Sequence, residues 1–220
     1  MSEMCPEEIA LVRKQGLGEE IANAVSHGVG AILAVAGTVL LLVRAVLHGS
    51  PIAVVSAALY GASMILLYTI SCLYHALTPP RGKYVFQVLD HCSIFLLILG
   101  TYIPIALVGI GGVFGWVVFG VIAFCAVLGV TLNAVDLHRF KRFSLVLYVA
   151  MGWLAVFTIR PIYRIVSMEG IALLLLGGVA YTLGVWFYRK KASYYMHFVW
   201  HLFVLTGSVL HFIMIYRYFL

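Results

Sequence analysis

Apolar residues run along this chain in long blocks, separated by short breaks rich in polar residues, glycine and proline. Taking about 20 residues as the length that crosses the hydrocarbon core of a bilayer, the pattern predicts seven spans. They lie near Ala22–Leu47, Ile52–Ala76, Val85–Val108, Val113–Val135, Ser144–Ile162, Gly170–Tyr188 and Met196–Tyr216. The breaks are His48-Gly49-Ser50-Pro51, Pro79-Pro80-Arg81-Gly82, Gly109 to Gly112, Asp136 to Arg142 and Arg189-Lys190-Lys191. So short a turn at Gly109 to Gly112 makes the third and fourth spans an antiparallel hairpin. Pro104 should kink the third span, while Gly111 and Gly115 read as part of a turn rather than as a helix-dimer motif. Trp116, Trp186 and Tyr188 near span ends fit an interfacial aromatic belt. There is no internal repeat, so residues 1–21 form an N-terminal segment and residues 22–220 one transmembrane domain.

Composition agrees with this pattern. With 64% hydrophobic and 10% charged residues, the chain holds more apolar surface than one soluble core can bury, so it reads as an all-α, multi-pass protein of the cell membrane. The net charge of +6 does not point to nucleic acid, because basic residues gather near membrane faces for insertion alone. Membrane lipids are the expected partners; no soluble protein partner is expected, and the sequence sets no oligomeric state. Cys5, Cys72, Cys92 and Cys125 show no CxxC spacing and read as free thiols. Glu3, Glu7, Glu8, Glu19 and Glu20 crowd the first twenty residues, which therefore do not resemble a cleavable signal; the first span is expected to act as the insertion signal.

Orientation follows from the short loops. One side carries Arg13, Lys14, Arg81, Lys83, Arg139, Lys141, Arg142, Arg189, Lys190 and Lys191, against Arg44, Arg160, Arg164 and Arg217 on the other. Ten against four puts the N-terminus in the cytoplasm and, with seven spans, the C-terminus outside.

That topology gives each polar residue a depth. His197 and His201 open the seventh span, four residues apart on one helix face, with Cβ atoms about 5–6 Å from each other. His75 closes the second span at the same cytoplasmic level, with Ser71 one turn deeper on nearly the same face. Asp90 is the one acid inside an apolar run, and Asn23 and His27 lie in the opening turns of the first span. His48 and His138 fall in loops, and His211 lies in the outer half of the seventh span. Ionisable groups inside a membrane are costly and point to function. Three neutral imidazoles with one position left open suit catalytic zinc, although ligand type alone also admits iron, nickel or copper. Asp90 would then orient a water or take its proton, unless it only caps or pairs with Arg81 or Lys83. Ser71 would hydrogen-bond water or a substrate carbonyl, unless it bonds its own backbone. Glu20 and Asn23 stay open between helix capping and orienting a ligand, and His27 between supporting the site and sitting at the interface. His91, turned about 100° from Asp90 on the helix, is the weaker candidate of the two.

Glu20-Ile21-Ala22-Asn23, Ser26-His27-Gly28, Ser71-Cys72-Leu73-Tyr74-His75, Leu89-Asp90-His91 and the final His197 to His201 pair, taken in order, resemble the signature motifs of the hemolysin III family. This is the bacterial branch related to the progestin and adiponectin receptors and, more distantly, to alkaline ceramidases. The resemblance implies a seven-helix bundle with a cytoplasmic N-terminus and zinc held at His75, His197 and His201. It also implies that Asp90 and Ser71 line the reacting water, that Glu20 and Asn23 belong to the signature, and that lipid amides are the substrates of the eukaryotic relatives. The leading expectation is a zinc-dependent hydrolase of acyl-lipid amides or esters that influences membrane lipid composition. The alternatives are a lipid sensor or signalling receptor with a structural zinc and a cytolytic membrane protein.

Overall fold

The structure, a computed structural model, describes residues 15–190 and 194–220. Glu3, Cys5, Glu7, Glu8, Arg13, Lys14 and Lys191 lie outside the described residues. The described chain folds into helices α1 (Leu17–His48), α2 (Pro51–Ala76), α3 (Pro80–Ile103), α4 (Gly112–Trp153), α5 (Ile159–Ile162), α6 (Met168–Arg189) and α7 (Met196–Tyr218). A π-helical stretch, Pro104–Ile110, continues α3, and a 3-10 turn, Leu154–Thr158, joins α4 to α5. By length and composition, six helices among the described residues are apolar enough to cross a membrane, counting α3 with its π extension and α4 through α5 as single units.

Local chemistry sets the ends. The Ser50 hydroxyl accepts from the Ala53 N–H and Pro51 starts α2, where its missing donor costs nothing. Gly111, at φ 64, makes the turn from the π segment into α4, a left-handed conformation that glycine adopts without strain. Pro104 cannot close an α-helical hydrogen bond, and the disturbance expected there as a kink takes the form of π spacing.

Several breaks are narrower than in the sequence reading: Pro80 to Gly82 already belong to α3, and Arg189 to α6. His48, expected in a loop, is the last residue of α1. The break expected over Asp136 to Arg142 shrinks to Asp136 alone (φ −158, ψ 92). Its carboxylate accepts the Arg139 N–H at 2.9 Å, the bond of an N-cap that restarts a helix. His138, also expected in a loop, is therefore helical.

The chain reverses at Asp136. Ser144 donates to Asn133 Oδ1 (2.6 Å) and Asn133 Nδ2 to the Tyr148 hydroxyl (3.3 Å). In one straight helix, partners separated by 11 and 15 residues would lie about 16 and 22 Å apart. Residues 112–135 and 137–153 are thus two antiparallel arms, and both reach α3: Gly129 sits under the Phe95 ring, and Tyr148 donates to the His91 carbonyl at 2.6 Å.

The helices form a ring. Neighbours α1 to α4 pack in sequence, α6 packs on α7, and α7 closes back on α1; α4 and α6 touch little. Leu41, Tyr60 and Phe95 are wholly enclosed, whereas Leu17, Ile32, Val46, Val113 and Phe124 project outward. Such a surface would be a liability in water and is the natural one in hydrocarbon, where close approach at small residues does much of the packing.

Candidate metal centre

Three helix ends meet at one pole of the bundle: the start of α1, the end of α2 and the start of α7. They bring together His75, His197 and His201, each buried, with one ring nitrogen from each lying within 4.8 Å of the others. His197 Nε2 is 3.3 Å from His75 Nε2. Two nitrogens bound tetrahedrally at about 2.0–2.1 Å from one zinc ion would be about 3.3–3.4 Å apart, so this edge already has the dimension a small tetrahedral ion requires.

For two of the three rings, hydrogen-bond logic fixes which nitrogen keeps its lone pair. Glu20 Oε2 lies 2.6 Å from His75 Nδ1, and a carboxylate only accepts, so Nδ1 carries the proton and Nε2 keeps its lone pair when the ring is neutral. The Ser26 hydroxyl spends its hydrogen on the Asn23 carbonyl at 2.8 Å. It therefore accepts from His201 Nδ1, 3.1 Å away, which leaves His201 Nε2 free to coordinate. Both orienting groups come from α1. Glu20 is held in turn by Lys83, at 2.9 Å from its other oxygen. The donor set fits a metal ion: three buried imidazoles, two of which, His75 and His201, have Nδ1 occupied so that Nε2 keeps its lone pair.

The other predicted residues surround this cluster without joining it. Asp90 is buried and neighbours both Ser71 and His75. Ser71 Oγ is enclosed and makes no hydrogen bond of ordinary geometry. No fourth His, Cys, Asp or Glu joins the three ligands among the described residues. His27 stacks on His201, ring centroids 3.6 Å apart and planes 9° from parallel, and meets Tyr68 edge-on; both its nitrogens are buried without partners. Asn23 is buried and donates to Gln15 at 2.6 Å. His91 turns away, with Nδ1 toward the Gln87 carbonyl and Nε2 3.4 Å from the Tyr188 hydroxyl.

Glu20 is thus an orienting group, and the capping task belongs to its neighbour. Glu19 accepts the Gly16 N–H at 3.1 Å and the Tyr195 N–H at 2.8 Å, which ties the start of α1 to the residue before α7. Tyr195 has a φ of 60, and that bond helps hold it there. Ser26 and Glu19 had no role assigned in the sequence, and Lys83, considered there as a partner for Asp90, pairs with Glu20 instead. Ser26 sits inside a signature motif, and that position reveals no contact with a specific side chain.

A helical bundle with an apolar outer surface and buried imidazoles gathered at one pole is a multi-pass protein of the cell membrane. The family model described as Haemolysin-III related matches residues 15–212, and the chain belongs to that family. It is 40% identical over 204 residues to Hemolysin-3 of Bacillus cereus, covering 93% of each chain. It is 37% identical to the Hemolysin-3 homolog of Bacillus subtilis, over 91% of this chain and 94% of the relative. A more distant relative is the human monocyte to macrophage differentiation factor, 26% identical over 74% of this chain and 70% of its own.

Proposed function

We propose that this protein is a zinc-dependent hydrolase that cleaves acyl-lipid amides or esters from within the bilayer. The observation that carries this reading is the pair of lone pairs turned inward by Glu20 and Ser26, on a ligand set that leaves a fourth position open. A closed site of four protein ligands is the mark of structural zinc, and an open one of catalytic zinc. The chemistry zinc supplies when bound is polarisation of a carbonyl and acidification of water to near neutrality. His75, His197 and His201 would hold the ion, Asp90 takes a proton from the attacking water and returns it to the amine or alkoxide released as the acyl C–N or C–O bond breaks, and Ser71 offers its hydroxyl to the substrate carbonyl. The lipid lies with its scissile bond at this pole and its chain among the helices. The lysis that the name Hemolysin-3 denotes follows, in this reading, from altered lipid rather than from a pore.

The same proposal sets the topology. The 42 residues of α4 would span about 63 Å as one rod, about twice the hydrocarbon core. The reversal at Asp136 supports two crossings there and seven in all. The basic residues then put the metal pole in the cytoplasm and the C-terminus outside.

Metal analysis tests the reading. Detergent-purified protein should hold about one zinc per chain by mass spectrometry; His75→Ala and His197→Ala should lose it. Asp90→Asn should keep zinc and lose at least about a hundredfold in turnover. Metal-free wild type from chelator-free preparations would remove the chemistry. Full turnover in Asp90→Asn would remove its proton-handling role.

A further inference from the structure

His75 and His201 are oriented by hydrogen bonds from their own rings, and the third histidine is held in a different way. His197 is the second residue of α7. The N–H groups of a helix's first turn have no partners within the helix, so that turn frays unless something outside holds it. His201 lies a full turn further in, where the ladder is complete. His197 is therefore the histidine whose backbone most needs an external hold, and the side chain of Tyr195, the residue that caps α7, supplies none.

The hold comes from α1. Tyr195 sits at φ 60 and ψ 8, and it is the one non-glycine residue with positive φ among the described residues. A side chain disfavours that conformation, and such a residue persists where its surroundings over-determine it. Here both of its backbone groups are engaged. Its N–H donates to Glu19 Oε1 at 2.8 Å, and its carbonyl accepts the Val199 N–H at 3.0 Å, the bond that opens the α7 ladder. Its hydroxyl rests on the backbone of α1, since a Cβ built on Gly18 would lie 2.8 Å from that oxygen.

Glu19 is fixed in turn: it is 9% exposed, and its second oxygen accepts the Gly16 N–H at 3.1 Å. Capping α1 requires only that second bond. Burying the carboxylate against a backbone 176 residues away adds a desolvation cost that does nothing for α1. Its effect falls on the start of α7, two residues before His197. We propose that Glu19 is the positioning residue for His197: by fixing Tyr195 in its left-handed conformation, it keeps the first turn of α7 wound and the His197 ring against His75. The first helix then serves all three histidines, Glu20 and Ser26 through the rings and Glu19 through the backbone. This inference rests on the metal reading of the pole and is independent of turnover.

Zinc affinity of the detergent-purified full chain, measured by competition with a chelator, tests it, with cobalt(II) in place of zinc as a reporter of coordination geometry. Glu19→Ala should bind zinc about tenfold more weakly, the factor by which a non-glycine residue disfavours the left-handed state. Its cobalt form should lose the intense visible absorption of a tetrahedral ion. Adding Tyr195→Gly to Glu19→Ala should restore the affinity to within about threefold of wild type and bring the absorption back, because glycine takes positive φ without the tie. Tyr195→Gly added to Glu20→Ala should restore nothing. A Glu19 that only caps α1 would lower the thermal midpoint on removal and leave the affinity and the absorption unmoved. Wild-type affinity in Glu19→Ala, or a double variant no better than Glu19→Ala, would overturn the proposal alone. A wild type that binds no ion would overturn the metal reading and the proposal with it. Should Glu19→Ala fail to fold, Tyr195→Pro, which keeps Glu19 but cannot adopt φ 60, should show the same loss, and wild-type affinity there would overturn the proposal.

Discussion

Glu20 and Ser26 perform one task for different histidines, and their chemistry ranks them. The bond from His75 Nδ1 ends on a carboxylate, which makes the imidazole a better donor to a metal and is itself anchored by Lys83. The bond from His201 ends on a neutral hydroxyl. Glu20→Ala should therefore weaken metal binding by about 10–100-fold, and Ser26→Ala by about fivefold, measured by competition with a chromogenic chelator. Wild-type affinity in Glu20→Ala would deny it the orienting role. The three-histidine cluster was legible because helical period and apolar context narrow the choice: His197 and His201 share a face, and polar residues inside spans are few. Of their orienting partners, Glu20 stayed open between capping and orienting and Ser26 had no role, and neither could be matched to its histidine. The Glu20 contact spans 55 residues and the Ser26 contact 175, and a local pattern carries no distance of that kind. His27 shows the same limit, since its stacking on His201 depends on how α1 meets α7.

At the level of helices, the apolar runs marked where helices lie and located the breaks between them less well. Polar residues after Asp136 read as a loop because composition cannot separate an exposed helical turn from an irregular one. The deciding feature is a single cap. Asp136→Ala removes it and should cost about 1 kcal/mol, a fall of about 2–4 °C in the thermal midpoint; an unchanged midpoint would show that the reversal is held by packing alone. Glycines separate into two kinds that the sequence does not distinguish. An alanine at Gly129 would collide with the Phe95 ring, whereas Gly120 is exposed and has nothing near it. Gly129→Ala should lower the midpoint by several degrees, while Gly120→Ala should leave it unchanged or raise it slightly. Equal effects would show that the arms of α4 tolerate looser seating on α3 than the structure indicates.

For the whole molecule, the asymmetry of ten basic residues against four implies fixed ends. Alkaline phosphatase fused after Leu220 should be active and a fluorescent protein fused before Met1 should fluoresce, because the first enzyme matures only outside the cytoplasm and the second folds inside it. The opposite pair of results would invert the molecule and place its histidine cluster outside.

The ring closes by setting α7 against α1, and the ligand set spans that closure: one histidine lies in α2 and two in α7, and both orienting side chains belong to α1. During synthesis the first helices bring Glu20 and His75 into the bilayer, while two of the three histidines arrive only with α7. On the proposed reading, metal capture must wait until α7 leaves the ribosome. A chain stalled before Met196 would stay empty, so an occupied site would mark a chain made through α7, and a cell that removes unloaded copies would clear incomplete ones by the same means.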